Sequence, residues 1–280
     1  MSSEQRAVFN TLGDRVKAVE EAFSASVPAR NYVMLRLDGR AFHSLSKGLK
    51  KPFDLRLMDA MDTAALRLCE DISGARAAYV QSDEITVLAA DWRHTQNEIK
   101  DQQHWFGGSQ QKMVSVSASL ATAHFNPALV SALDEREIPS SLPAMFDSRV
   151  LAFTGNDDGR TAALDAFRWR WMDCVKNSVS MAAHHVFGHK RLLNVGTDAK
   201  KQMLKESHSP WESLPEGFRF GRLITREPRT ETVSYLDKRD NQQHSTEVLR
   251  RPFIVKPASE ETFFAELDSV VPQPYVQEGR

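Results

Sequence analysis

Val33-Met34-Leu35-Arg36-Leu37-Asp38-Gly39-Arg40, read with Arg76-Ala77-Ala78-Tyr79-Val80-Gln81-Ser82-Asp83-Glu84 further on, decides the fold. Each is an apolar run of strand length that ends in a carboxylate on a turn signal. Between them Asp54 stands as a cap before a helical series, Leu55, Met58, Ala65, Leu68 and Ile72, and Gly74 closes that helix. Strand, helix and strand in this order carry Asp38 and Asp83 to neighbouring positions on one sheet edge. Two carboxylates so placed, with a glycine beside one, suit a pair of divalent cations holding a triphosphate.

Outward from this stretch the pattern continues. Ile85 to Ala90 gives a third strand and makes a tight hairpin around Ser82-Asp83. A polar loop, 91–108, leads to a helix over 110–125 rich in Ser and Ala, and a fourth strand follows over 148–153. The order strand–helix–strand–strand–helix–strand is the split βαβ, ferredoxin-like arrangement found in polymerase palms. The expected class is therefore α+β, with long helices and a small C-terminal β-rich part added to the sheet. Residues 1–155 form the expected palm-like core with its N-terminal helix. Residues 156–280 form an RNA-contacting helical segment and a β-rich extension, packed with the core as one unit.

Before the core, residues 4–25 read as a helix with Phe9, Leu12, Val16, Val19 and Phe23 at three- and four-residue steps, ended by Pro28. After it, the spacing predicts a long helix over 165–187. Its apolar stripe is Phe167, Trp171, Cys174, Ser178 and Ala182, and its polar face carries Arg170, Asp173, Asn177, Ser180 and His184. The last third alternates β-like runs (218–225, 232–236, 248–255) with polar turns, and the tail beyond Pro257 forms one short helix.

The totals exclude several classes. The formal charge of −1 leaves no global basic field, so a nucleic acid would be met by local patches. One such patch is 160–206, where nine Lys and Arg exceed four acids by five. The two cysteines, Cys69 and Cys174, fall on apolar helix faces and read as buried free thiols. No run approaches the roughly twenty apolar residues of a membrane span, and the N-terminus has no apolar targeting segment. A cytoplasmic protein without a membrane partner is expected.

The candidate catalytic carboxylates are Asp38, Asp83 and Glu84. Gly39 permits close backbone approach and offers its carbonyl to a metal. The amides of Arg40, Ala41, Phe42 and His43 open a short helical turn, a favourable place for phosphates. Ser82 adds a hydroxyl, and Lys51 reaches from a basic loop toward phosphate or base. A lone Asp-Gly is ordinarily a turn, and a lone Ser-Asp-Glu ordinarily a solvated hairpin. Their joint placement at two strand ends in palm order carries the argument.

At these residues the chain resembles the tRNA-His guanylyltransferases and their bacterial and archaeal relatives, the reverse (3′-to-5′) polymerases. The matching words are Arg36-Leu37-Asp38-Gly39-Arg40-Ala41-Phe42-His43, Lys51-Pro52-Phe53-Asp54 and Gln81-Ser82-Asp83-Glu84-Ile85. Leu12-Gly13-Asp14-Arg15, Lys112 to Ser119, Phe146-Asp147-Ser148-Arg149, Trp169-Arg170, Asp173 and Asn177-Ser178 extend the match over about 11–228. The resemblance implies two Mg²⁺ held by Asp38, the Gly39 carbonyl and Asp83, and a triphosphate held by 38–43 with Ser82 and Asp83. It implies activation of an RNA 5′-monophosphate with ATP, then attack by the 3′-hydroxyl of an incoming GTP or other nucleotide. The partner would be a tRNA or tRNA-like 5′ end, and the assembly a homo-oligomer, a tetramer as in the family. Arg149, Arg170, Asp173, Lys176, Asn177, His189 and Lys190 are the candidate contacts to the RNA 5′ phosphate.

Two words depart from the family. Val175-Lys176-Asn177-Ser178 stands where eukaryotic members carry His-Ile-Asn-Asn, and it is nearer to the bacterial Arg-Asn-Ser. That favours templated 5′-end repair over adding a single guanosine to tRNA-His as the main role. Trp171-Met172 stands where relatives have two glutamines. A palm-fold nucleotidyl cyclase acting on the triphosphate alone is the rival enzyme, and a non-catalytic RNA-binding protein the rival outside catalysis.

Overall fold

A computed structural model describes residues 3–95, 98–237, 239 and 242–275. In chain order the elements are α1 (Ser3–Ala22), β1 (Asn31–Arg40), α2 (Phe42–Leu45), α3 (Leu55–Asp71), β2 (Ala75–Gln81) and β3 (Glu84–Ala90). A small hairpin of β4 (Trp92–His94) and β5 (Ile99–Asp101) precedes α4 (Gln110–Ala132), β6 (Met145–Thr154) and α5 (Asp157–Phe187). Then come α6 (Thr197–Glu206), α7 (Glu216–Arg219), β7 (Arg222–Arg226), β8 (Arg229–Asp237), β9 (Gln242–Arg250), β10 (Phe253–Pro257) and α8 (Phe263–Val270).

Six strands form one sheet in the order β10-β7-β2-β3-β1-β6, every neighbouring pair antiparallel. The last four in this order, β2-β3-β1-β6, are the split βαβ arrangement anticipated from the pattern, and β7 and β10 from the last third extend the sheet beyond β2. The fold class is α+β, as expected. β8 and β9 pair only with each other and form a separate two-stranded arm.

Both faces of the sheet are covered, which is why its central strands read as nearly continuous apolar runs. Successive side chains alternate between faces. Val33, Leu35, Leu37, Val80, Ile85 and Val87 pack with Met61, Leu68 and Phe125 of α3 and α4. Tyr32, Met34, Tyr79 and Leu88 pack with Phe167, Trp171 and Phe263 of α5 and α8. By the same alternation Arg36 and Asp38 share the α5 face of β1. The α5 stripe predicted from the sequence, Phe167 to Ala182, is buried at every one of its five positions. Cys69 and Cys174 are buried free thiols.

Three boundaries differ from expectation. α4 continues past Phe125 to Ala132 although Pro127 lies inside it. Asn126 Nδ2 donates to the Thr122 carbonyl at 2.7 Å, and buried Leu129 keeps the helix on the core. α5 starts at Asp157 rather than Asp165, because Asn156 caps it by accepting from the Gly159 amide at 2.9 Å, with Asp157 and Asp158 in the first turn. The runs at 218–225 and 248–255 are each interrupted: the first begins inside α7, and the second breaks at Arg251-Pro252 between β9 and β10. The 91–108 loop also contains the β4–β5 hairpin. Among the described residues no helix is long and apolar enough to cross a membrane.

Candidate active site

The end of β1 and the β2–β3 hairpin are tied together by the chain itself. The Gly39 amide donates to the Asp83 carbonyl at 3.0 Å, so Asp38 and Asp83 meet as the sequence predicts. Ser82 turns the hairpin with left-handed backbone (φ 46°), a conformation that short polar residues tolerate better than bulky ones. Gly39 has a requirement of its own: a Cβ there would lie 2.4 Å from the Phe42 ring. That ring packs on Phe125 and Phe146 at centroid distances of 5.1 and 5.3 Å. The close approach permitted by Gly39 is thus made by a core aromatic, which seats the α2 turn against the strand end.

Across the sheet, Asp38 stands in register between Glu84 on β3 and Asp147 on β6. Like charges facing across strands repel, and the two flanking acids are compensated within the protein. Glu84 accepts from Arg170 Nη1 at 3.0 Å and lies 3.8 Å from Arg36 Nε. Asp147 lies 3.4 Å from Arg149 Nη2. Among the described residues, Asp38 has no cationic or hydrogen-bonding side-chain partner, and Asp83 has no cationic one. Burial raises the Asp83 pKa, and the charges of Asp38 and Glu84 push it further. The site therefore holds two carboxylates whose charge the protein leaves uncompensated.

A cleft of about 350 Å³ opens beside Asp83, and Asp38 is not among the residues that line it. Ser82, Asp83, His43, Ser46 and Lys51 line it, together with Asn177 and Met181 of α5. Its floor includes Phe53 and Phe218, whose rings are 4.9 Å apart. The Lys51 Nζ donates to Ser46 Oγ at 3.2 Å and is otherwise exposed. The lining thus combines charged and apolar groups, as a molecule that carries both phosphates and a flat ring requires. Asp54 forms its back wall: its carboxylate caps α3 through the Arg56 amide at 3.0 Å and accepts two more bonds from the Arg56 guanidinium. Those bonds lower its pKa to about 2.

The candidate RNA contacts separate into groups. Arg170 is folded inward, its side chain only 13% exposed, with Asp173 3.6 Å away as a second acid. Asn177 Nδ2 donates to Asp173 Oδ2 at 3.1 Å and also lines the cleft, linking Arg170 to its wall. Lys176 is exposed on α5, beside a second groove between α5 and α6. Beyond the end of α5, His189 and Lys190 are exposed, and the His189 ring is 5.3 Å from that of His184. Arg149 lies on β6 with Asp147. Arg36, Phe53, Met181 and Phe218 were not singled out as site residues. Arg36 and Phe53 belong to motif words quoted above, whereas nothing near Met181 or Phe218 in the sequence connects them to the cleft.

Comparison with known proteins agrees with this geometry. Residues 13–154 match the model of the tRNA-His guanylyltransferase family. A bacterial tRNA-His guanylyltransferase-like protein solved in complex with ATP is 29% identical, with a TM-score of 0.74 over 93% of this chain and 98% of that one. The same kind of protein in complex with GTP aligns at a TM-score of 0.69. Among curated sequences, an uncharacterised protein of Acanthamoeba polyphaga mimivirus is 28% identical over 81% of both chains. The tRNA-His guanylyltransferase of Debaryomyces hansenii is 25% identical over 76% of this chain and 80% of its own. The chain belongs to the tRNA-His guanylyltransferase family and is a nucleotidyltransferase.

Proposed function

We propose that the protein is a Mg²⁺-dependent 3′-to-5′ polymerase that adds nucleotides to the 5′ end of tRNA or tRNA-like RNA, in templated repair of shortened ends. The observation that carries this reading is the unequal compensation of the acids: Glu84 and Asp147 have arginines, Asp38 and Asp83 do not. Two carboxylates and a backbone carbonyl are the hard oxygen donors that Mg²⁺ accepts alongside substrate phosphates. Among the described residues no three acidic, imidazole or thiol groups form a cation site alone, so phosphate oxygens would complete the shell.

Asp38, the Gly39 carbonyl and Asp83 would hold the two Mg²⁺ ions. When bound, these would lower the pKa of an attacking hydroxyl and neutralise charge on the departing phosphate. The chain's own groups do the rest. Residues 40–43, which run from the last residue of β1 into α2 and not through a single helical turn, orient the triphosphate with Ser82, Lys51 neutralises its charge, and the Phe53–Phe218 pair shields a base from water. Arg170, through Glu84, fixes the hairpin that carries Asp83. Lys176 and Asn177, with His189 and Lys190, receive the RNA 5′ end along α5. The bacterial structures with ATP and with GTP support both nucleotides as substrates here.

Incubation with labelled triphosphates and 5′-truncated tRNA, followed by 5′-end sequencing, tests this. Nucleotides complementary to the opposing strand, added only with Mg²⁺ and ATP, are expected. Product formed from triphosphate without RNA, or a single untemplated guanosine, would overturn the repair reading.

A further inference from the structure

Trp171 and Met172 are neighbours in sequence with opposite fates. Trp171 is buried and stacked on Phe220 at a centroid distance of 5.6 Å, and its indole N–H donates to the Ala258 carbonyl at 3.0 Å. Met172 is 62% exposed, and Trp169, one turn before it, is 64% exposed. Neither belongs to the core on either face of the sheet, since the stripe from Phe167 to Ala182 already seats α5. Of the five tryptophans, Trp169 alone is exposed.

Trp169, Met172, Asp173 and Lys176 follow one another at three- and four-residue steps, so they share one face of α5. With Asp198 and Lys201 of α6 they line a groove of about 490 Å³, a size usual for ligand sites. The acids in it serve the fold. Asp173 accepts from Asn177 Nδ2 at 3.1 Å and lies 3.6 Å from Arg170. Asp198 sits in the first turn of α6, where the helix dipole favours a negative charge. Lys176 is exposed and has no acidic partner among the described residues. Lys201 is half-buried, its Nζ 4.2 Å from the centre of the Trp211 ring. The groove thus offers a flat apolar face with cations beside it.

That combination suits an unpaired nucleotide. A base lends its face to an aromatic side chain only when it is free of its duplex, and its phosphates attract lysines. The position of the groove fits the same occupant. Asp173 lines the groove and Asn177 lines the cleft, so the hydrogen bond between them joins the two sites. We infer that the α5–α6 groove binds an unpaired nucleotide of the RNA, its base stacked on Trp169 beside Met172 and its phosphates near Lys176 and Lys201. On the repair reading above, on which the choice of strand rests, this is the template nucleotide next to the one being copied.

Titration of the full chain with a short single-stranded oligoadenylate, read by tryptophan fluorescence, tests the inference. No tryptophan lines the cleft, so quenching reports on the groove. The oligoadenylate should quench Trp169, and ATP at concentrations that saturate the cleft should not. Trp169→Ala should weaken binding of a labelled oligoadenylate by about 5- to 150-fold, the usual loss for one stacked base. Trp169→Phe, which keeps a ring, should lose far less. Lys201→Ala should flatten the dependence of log affinity on log salt by about 0.7. Triphosphate affinity should be unchanged in both Trp169 variants, which controls for the fold. Quenching by oligoadenylate without templated addition in a separate assay would support the groove and sink the repair reading. Absence of quenching, equal quenching by ATP, or unchanged RNA affinity in Trp169→Ala would each overturn the inference. So would a Trp169→Ala variant whose sedimenting mass changed while its RNA affinity did not, since a protein partner would then cover the groove.

Discussion

Arg170 Nη1 lies 3.0 Å from Glu84 Oε2, joining the middle of α5 to the first residue of β3. Both side chains are nearly buried, at 13 and 11% exposure, so each charge depends on the other for compensation. Arg36 approaches the same carboxylate, and the Nε atoms of both arginines are buried without a hydrogen-bond partner. Glu84 is therefore the anion shared by Arg170 and the half-buried Arg36. Through this contact α5 anchors the hairpin that carries Asp83.

Arg170→Ala leaves the Glu84 charge with one distant partner. Breaking a buried pair costs about 3 kcal/mol, to be read from urea melts. Arg170→Met with Glu84→Gln should lose less than the sum of the two single changes. If Arg170 instead contacted RNA directly, its replacement would weaken RNA binding with no stability loss.

Asp83→Asn should abolish nucleotide transfer and yet stabilise the metal-free protein. Burial raises the Asp83 pKa, so the folded state disfavours the ionised carboxylate, and that penalty grows as pH rises through the acid range. Urea melts at pH 4 and pH 7 should show the advantage of Asn widening with pH. Saturating Mg²⁺ and triphosphate should reverse it.

Lys51→Ala should raise the apparent KM for triphosphate more than it lowers kcat, because a lysine exposed at the cleft edge interacts with phosphate in ground and transition states alike. Steady-state kinetics decide. Equal falls in kcat and kcat/KM would assign Lys51 to the transition state alone.

Gly39→Ala should destabilise by about 1–3 kcal/mol, the usual cost of overpacking, since the new Cβ falls 2.4 Å from the Phe42 ring. Adding Phe42→Leu should recover part of that loss in thermal melts. Were Gly39 required only for metal access, the second change would recover nothing.

Asp54→Ala removes the α3 cap, worth about 1 kcal/mol, together with its bonds to Arg56. The Asp54 pKa is lowered to about 2, below its unfolded value. The contribution is present above pH 4 and disappears as pH falls toward 2. The stability difference from wild type should shrink over that window in melts.

The strand ends and their carboxylates were legible in the sequence because a β-strand and the turn that ends it are written locally, in alternation, apolar runs and Asp-Gly or Ser-Asp signals. The same holds for the α5 stripe, whose five positions repeat at helical spacing, and for the Asp54 cap. The helix boundaries at Asp157 and Ala132 were less legible, since one rests on a cap that resembles a loop and the other on packing that overrides Pro127. What only the tertiary structure decided is partnership across the chain. Arg170 reads as one member of a polar helix face, and only the approach of α5 to β3 turns it inward onto Glu84. Phe218 gains meaning from Phe53, and Gly39 from Phe42. Asp38 is set apart from Glu84 and Asp147 by having no arginine partner among the described residues. These relationships link residues as distant in the chain as Phe53 and Phe218, and neither spacing nor composition records such pairings. α1 shows the reverse: its apolar three- and four-residue steps were already in the sequence, and the structure added that Phe9, Leu12, Val16, Val19 and Phe23 are exposed.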